Sequence, residues 1–185
     1  YREPYCVCGQ TILAYSSGER SITASGPALT PVEHPLCRLF ADKGGKLRLV
    51  TELLLHPALP MAILVEREPV GSHACRCWVA RWDCDNPRIV PLPVPRQENS
   101  RLSHLAYSPD GSWLVYRDNT EDRFDPVFMA VPVVPDAPLC LGAPVELGRC
   151  LGDSPVSTCW IGDPLSFVVC DGAALCRWGL DLLRR

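Results

Sequence analysis

The sequence feature that most constrains the fold is a turn motif, SPDG at 108–111, which lies between apolar runs at 102–107 and 112–117. Serine is favoured at the first position of a type I turn, proline at the second and glycine at the fourth. Proline presets φ, and glycine relieves the exit from the turn. The stretch therefore predicts two antiparallel strands joined by a tight corner.

Two other stretches repeat this pattern in a weaker form. "LLLHPALPMAILVERE" (53–68) and "CWIGDPLSFVVCDG" (159–172) each place a polar residue and a proline between two apolar runs. The prolines of the three copies, Pro57, Pro109 and Pro164, recur at intervals of about 50 residues, within the range of repeat units. Neither outer copy keeps the Asp-Gly pair, so the spacing is what indicates a degenerate structural repeat.

Most of the chain consists of short apolar runs, and its 19 prolines and 13 glycines leave almost no helical periodicity. Many short strands at regular spacing predict an all-β sandwich, barrel or propeller. Only the end, "LDLLRR" (180–185), is compatible with a helix. The predicted strands are 11–15, 21–24, 47–55, 61–66, 75–82, 88–94, 102–107, 112–117, 126–134, 139–147, 156–161, 166–170 and 174–180.

Four runs fall in each repeat, which favours a β-propeller, because a blade is a four-stranded antiparallel sheet repeating about every 40–50 residues. We expect about three to four blades in one propeller-like domain, 1–185. Its parts are a partial blade at 1–46 with a surface insertion at 26–47, blades at 48–95 and 101–148, and a partial blade at 155–185. The incomplete ends could pair within the chain, but completion by a second chain or by missing sequence is favoured.

The prolines fit this arrangement independently. "VPLPVP" (90–95), "VPVVP" (131–135) and "APVEL" (143–147) fall in the third or fourth strand of a copy. The outermost strand of a blade is a sheet edge, where proline costs no hydrogen bond of the ladder.

The stretch "LAYSPDGSWLVYRDNTEDRFDPVFMAVPV" (105–133) resembles the WD40-like repeat of the TolB type. In that repeat an SPDG turn joins the first two strands, and a polar loop precedes the third. The resemblance implies propeller architecture, in a family that includes binding scaffolds, accessory domains of peptidases and periplasmic assembly factors. The residues that carry it are Ser108, Pro109, Asp110, Gly111, Trp113, Val115 and the run Val127–Val131.

The chain has eleven cysteines, an odd number, and most lie inside apolar runs. Buried cysteine behaves as a small apolar residue, so we expect reduced packing thiols in a cytoplasmic protein. A secreted disulfide-bonded protein or a periplasmic protein is the alternative. The chain begins at Tyr1 rather than Met, so it is expected to be processed or cut from a longer sequence.

No catalytic constellation, metal site or cofactor is predicted. Gly152-Asp153-Ser154 is similar to a serine-hydrolase nucleophile block, but none of the four histidines lies in a recognisable catalytic context. The Cys-x-Cys pairs at 6–8 and 75–77 lack the knuckle spacing that zinc usually takes. Both features are interpreted as structural.

Charged loops at 67–74, 96–101 and 117–125 are expected to gather on one face of the propeller, where partners dock. We predict that these loops bind, and that no catalytic residue is among them. The candidate binding residues are Arg67, Glu68, His73, Arg96, Asn99, Arg101, Asp118, Glu121, Asp122 and Arg123.

The leading hypothesis for function is a noncatalytic protein-interaction scaffold, whose partner is another protein or a second copy bound through blade edges. The net charge of −3 and only two lysines argue against nucleic-acid binding, and no apolar run is long enough to span a membrane. The alternative is an accessory or substrate-gating propeller portion of a larger enzyme such as a peptidase. A weaker alternative is a hydrolase that uses the Asp and Glu loops.

Overall fold

The strands of the protein form four antiparallel sheets, and this confirms the predicted all-β class. The structure, a computed structural model, describes residues 4–44, 49–67, 75–82, 87–92, 100–120, 127–134, 141–149, 157–162, 165–170 and 174–180. The chain divides by its contacts into two units, Tyr1–Asn99 and Ser100–Arg185. Each unit holds two of the sheets. No helix among the described residues is long and apolar enough to cross a membrane.

The first unit contains a three-stranded and a four-stranded sheet, in the orders β1-β2-β3 and β4-β5-β6-β7. Every pair of neighbouring strands is antiparallel, as in a meander. The strands are β1 (Tyr5–Cys8), β2 (Thr11–Ser16), β3 (Ser21–Ser25), β4 (Val50–Leu55), β5 (Met61–Arg67), β6 (Cys75–Arg81) and β7 (Arg88–Pro91).

The core of the first unit follows the two-residue period of its strands. Leu13 and Tyr15 on β2 alternate with more exposed neighbours, and Ala62 and Leu64 on β5 face the same core. Alternation of this kind puts every second side chain on one face of a sheet. One face of each sheet thus contributes to a single apolar core.

The predicted surface insertion, residues 26–47, is at the surface over 27–33, but its part around residues 35–40 is not. The helix α1 (Pro35–Leu39) and a π-helical turn (Phe40–Gly44) lie within it. Leu36, Leu39 and Phe40 are buried in the core of the first unit, and the Phe40 ring meets the edge of Tyr15 at 5.7 Å between centroids. These apolar residues recur at the i, i+3, i+4 positions of a helical stripe, so the segment folds inward as a helix.

The second unit also contains a four-stranded and a three-stranded sheet, in the orders β11-β10-β9-β8 and β12-β13-β14. Neighbouring strands are again antiparallel and consecutive in the chain. The strands are β8 (Ser100–Tyr107), β9 (Trp113–Thr120), β10 (Val127–Pro132), β11 (Val145–Arg149), β12 (Ser157–Ile161), β13 (Ser166–Cys170) and β14 (Leu175–Gly179).

Aromatic rings fill the core of the second unit. Phe167 on β13 is fully buried, with its ring centroid 4.9 Å from Trp160, 5.7 Å from Phe128 and 6.4 Å from Trp178. Trp113, at the start of β9, is buried in the same cluster. Trp160 and Trp178 pack against this cluster as well. Aromatic pairs at such spacings contribute more than their buried area alone.

The SPDG motif forms the corner between β8 and β9, as predicted. Gly111 N–H donates to the carbonyl of Ser108 at 2.8 Å. Gly111 has a φ of 72°, a conformation that glycine adopts without strain. The Ser108 hydroxyl donates to Asp110 at 2.6 Å and accepts the Trp113 N–H at 2.9 Å. The corner is therefore closed by side chains as well as by backbone.

The turn at 56–61 between β4 and β5 is built in the same way from different residues. His56 N–H donates to the carbonyl of Met61 at 3.0 Å, as Ser108 N–H donates to that of Trp113 at 2.8 Å. The buried His56 ring accepts the N–H groups of Ala58 and Leu59 at Nδ1, at 3.0 and 2.7 Å. This supports the predicted equivalence of Pro57 and Pro109. Pro164, in the third copy, lies outside the described residues.

One of the prolines that were predicted to lie in outer strands, Pro91, is at the edge of its sheet. Pro91 ends β7, an edge strand of its sheet, where a missing N–H costs little.

Among the cysteines with described side chains there is no disulfide. Cys77 is buried and Cys6 packs against the first core, but Cys159 and Cys170 are exposed, so not every thiol is a packing residue. The predicted C-terminal helix at 180–185 falls almost wholly outside the described residues.

Candidate functional site

Most of the sequence-predicted binding residues fall in segments that the structure does not describe. Of the others, Arg67 ends β5 and donates its N–H to the carbonyl of Leu49 at 2.9 Å, and Arg101 lies on β8. The structure therefore does not test whether the predicted set lies together, and its binding role stays a prediction. The residues outside the described part are Glu68, His73, Arg96, Asn99, Glu121, Asp122 and Arg123.

The prediction that Asp118 lies in a loop is wrong. Asp118 is in β9, paired with Leu102 on one side and Val127 on the other. Its neighbour Arg117 is buried on the face that carries Trp113 and Val115. The polar residues after 117 predicted that the strand ends there. Backbone pairing with β8 does not depend on side-chain polarity, so β9 continues to Thr120.

A polar cluster on β8 and β9 was not singled out from the sequence. The pairing register shifts between Ser103 and Ala106, and His104 takes a φ of 55° there. The Ser103 hydroxyl lies 3.2 Å from Nδ1 of His104 and accepts the Asn119 amide at 2.9 Å. These bonds hold a β-bulge, a feature that redirects a side chain.

A cleft of about 570 Å³ lies in the first unit, beside α1. We call it the α1 cleft. Prolines and a leucine form its apolar walls, and four charged or titratable side chains stand at its polar side. Its lining residues are Glu33, His34, Pro35, Arg38, Leu39, Asp42 and Pro87.

His34 both caps α1 and lines the α1 cleft. Its Nδ1 accepts the Leu36 N–H at 3.1 Å, which satisfies one of the unpaired donors at the start of the helix. Trp82 meets the imidazole edge-on, with ring centroids 5.5 Å apart. Burial lowers the pKa of His34 below its ordinary value, so the neutral ring is favoured. Because Nδ1 is the acceptor, the hydrogen of the neutral ring resides on Nε2.

The described lining of the α1 cleft carries more negative than positive charge. The Arg38 guanidinium is paired with the Glu33 carboxylate, and both are exposed. Asp42 is also exposed and has no ion-pair partner among the described residues. With His34 neutral, the described lining carries one negative charge in excess. The cleft therefore favours a cation over an anion.

We expect the protein to lose stability as the pH falls through the ordinary His34 pKa of 6.5. The unfolded chain binds the proton more readily than the folded one, so the contribution is present above that pH and is lost below it. Protonation of Nδ1 also removes the acceptor for Leu36 N–H. In His34→Asn, a residue that caps helices without titrating, urea unfolding at about pH 7.5 and about pH 5.5 should differ less than in the wild type. Equal differences in the two proteins would contradict this role.

The sequence carries a signal for the start of α1. His34 precedes Pro35, and proline is favoured at the first position of a helix, where its missing N–H is not needed. Three apolar residues then follow at helical spacing. The helix has only five residues, so its apolar spacing is hard to distinguish from that of a strand. It nevertheless identifies the segment that forms the cleft.

Comparison with known proteins identifies a fold but no close relative. No protein-family model and no curated protein matches the chain. Among solved structures, the chain is similar to one from a structural and mechanistic analysis of two prolyl endopeptidases and the role of inter-domain dynamics in catalysis and specificity. The match covers 96% of this chain, with a TM-score of 0.51 and 14% sequence identity.

This likeness concerns the fold alone. The four sheets of three or four antiparallel strands resemble part of the propeller domain of a prolyl endopeptidase, which confirms the predicted blade architecture. The chain spans 27% of the length of the prolyl endopeptidase chain that it matches.

Proposed function

We propose that this chain is the propeller portion of a larger enzyme of the peptidase class, in which it controls access of the substrate to a catalytic domain. The single observation that carries the proposal is the fold likeness, which extends over 96% of the chain but only 27% of a prolyl endopeptidase. The sequence itself offers no catalytic constellation. Chemistry would therefore come from residues outside these 185, and the TolB-type relationship of the blades belongs to the same proposal.

The outer faces of two sheets support a larger assembly. On β1, Tyr5 and Val7 are 67% and 61% exposed, while Cys6 between them points to the core. On β14, Leu175 is 74% exposed, and its cross-strand neighbour Cys170 is also exposed. Exposed apolar side chains are unfavourable in water, so we expect further protein to cover Tyr5, Val7 and Leu175.

The noncatalytic scaffold predicted from the sequence is the second candidate. The same exposed apolar faces favour it, because a partner protein or a second copy of the chain would also cover them. The two candidates differ in whether the natural product has peptidase activity.

Immunoprecipitation of the natural product with an antibody raised against this chain tests the proposal. We expect a polypeptide well above 20.4 kDa that cleaves a quenched fluorogenic peptide with an internal proline. The recombinant 185-residue chain is the control and should not cleave it. A natural product of about 20.4 kDa, or a larger product without peptidase activity, would contradict the proposal and favour the scaffold.

A further inference from the structure

We propose that the α1 cleft binds the basic side chain, lysine or arginine, of a peptide segment. The proposal rests on the shape and charge of the cleft and does not depend on the proposed peptidase function. Every lining residue lies in the first unit.

The walls of the cleft suit the aliphatic part of such a side chain. The cleft has a volume of about 570 Å³. That is within the range of small-molecule sites, which runs from about 300 Å³ to about 1000 Å³. Pro35 and Pro87 are stiff, and Leu39 is anchored in the core of the first unit. The apolar stem of a lysine or arginine packs on such surfaces while its charged end reaches a polar rim.

The polar side of the cleft suits the cationic end. Asp42 offers a carboxylate without an ion-pair partner among the described residues, and exposure leaves it accessible. Glu33 already binds Arg38, which shows that this rim holds a guanidinium. The pair also means that Arg38 competes with an incoming cation for Glu33 and repels it. Charge-assisted bonds to a carboxylate are the strong contacts available here.

His34 adds a donor rather than a charge. Its Nδ1 is engaged with the Leu36 N–H, so Nε2–H remains on the ring, which Trp82 supports edge-on. A donor of this kind suits a peptide carbonyl next to the basic residue. The cleft thus presents an acceptor for a cation and a donor for the backbone that carries it.

Two substitutions with opposite expected effects test the proposal, with binding of N-acetyl-lysine methylamide to the full chain measured by NMR titration. Asp42→Asn should weaken binding about tenfold, and Arg38→Gln should strengthen it severalfold. Glu146→Gln, at an exposed site on β11 in the second unit, is the matched control and should change nothing. Perturbed resonances should fall on α1 and the residues that follow it.

The same probe with an acetylated side-chain nitrogen separates charge recognition from apolar contact. It should bind at least tenfold more weakly, because it keeps the stem but has lost the charge. Equal affinity for both probes, no binding at about 10 mM, or weaker binding in Arg38→Gln would overturn the proposal. The last result would show that Arg38 supports the site rather than competing for Glu33.

Discussion

Phe167→Ala is expected to lower the free energy of unfolding of the second unit by about 3–5 kcal/mol, the range for truncating a buried aromatic side chain. Phe167 is fully buried and contacts three other aromatic rings, at centroid distances of 4.9, 5.7 and 6.4 Å. The substitution removes these contacts and leaves a cavity between the two sheets. Urea unfolding followed by tryptophan fluorescence measures the loss, and faster hydrogen exchange on β13 locates it in this unit.

Leu175→Ala is the matched control for Phe167→Ala. Leu175 lies in the same sheet, on β14, but is 74% exposed. Its removal should therefore change the free energy of unfolding by no more than about 0.5 kcal/mol. If Phe167→Ala costs less than about 1 kcal/mol, the aromatic cluster is not the core of the second unit.

Asp110→Ala is expected to cost about 2–3 kcal/mol of unfolding free energy, because three hydrogen bonds to a carboxylate are lost together. Asp110 Oδ1 accepts from the Ser108 hydroxyl at 2.6 Å and from Ser112 N–H and its hydroxyl at 3.0 and 2.7 Å. The Ser108 side chain is buried, so its hydroxyl would lose its acceptor without gaining water. Urea unfolding of the variant and the wild type measures the difference.

Two variants make the Asp110→Ala experiment specific. Asp110→Asn retains an oxygen acceptor and should lose about half as much. Glu19→Ala removes a carboxylate from the exposed turn between β2 and β3, where it accepts a 3.3 Å bond from the Ser21 hydroxyl. This loss should cost no more than about 0.5 kcal/mol. Equal losses for Asp110→Ala and Glu19→Ala would show that the corner is not held by its aspartate.

Most of the strands and their grouping can be predicted from the sequence, because both depend on local chemistry. Turn residues and apolar runs placed β5 at 61–66 against the observed Met61–Arg67, and β13 at 166–170 as observed. The proline spacing correctly related the turns at 56–61 and 108–113, since each has the same long-range backbone bond between its first and last residues. The strand β1, Tyr5–Cys8, is absent from the predicted runs.

The α1 cleft could not be predicted in the same way. Its lining comes from the two residues before α1, from α1, from the π-helical turn and from Pro87, and only tertiary packing brings Pro87 to the helix. Leu36 and Phe40 were expected at the surface because their segment is rich in proline and glycine, yet the helical spacing governs which way they face. The binding site was predicted at charged loops instead, because charged residues can be identified from a sequence and a cleft cannot.

The two related corners of this chain show what selection can act on in such a repeat. At 108–111 the side chains of a serine and an aspartate act as acceptors inside the turn, and at 56–61 a histidine ring does so. Both corners have a side-chain acceptor on their first residue, while the N–H groups that it accepts differ. Blades can therefore diverge in sequence until no motif is left and still form the same turns. Relatives of this chain are better sought by the hydrogen-bond geometry of these turns than by a sequence motif.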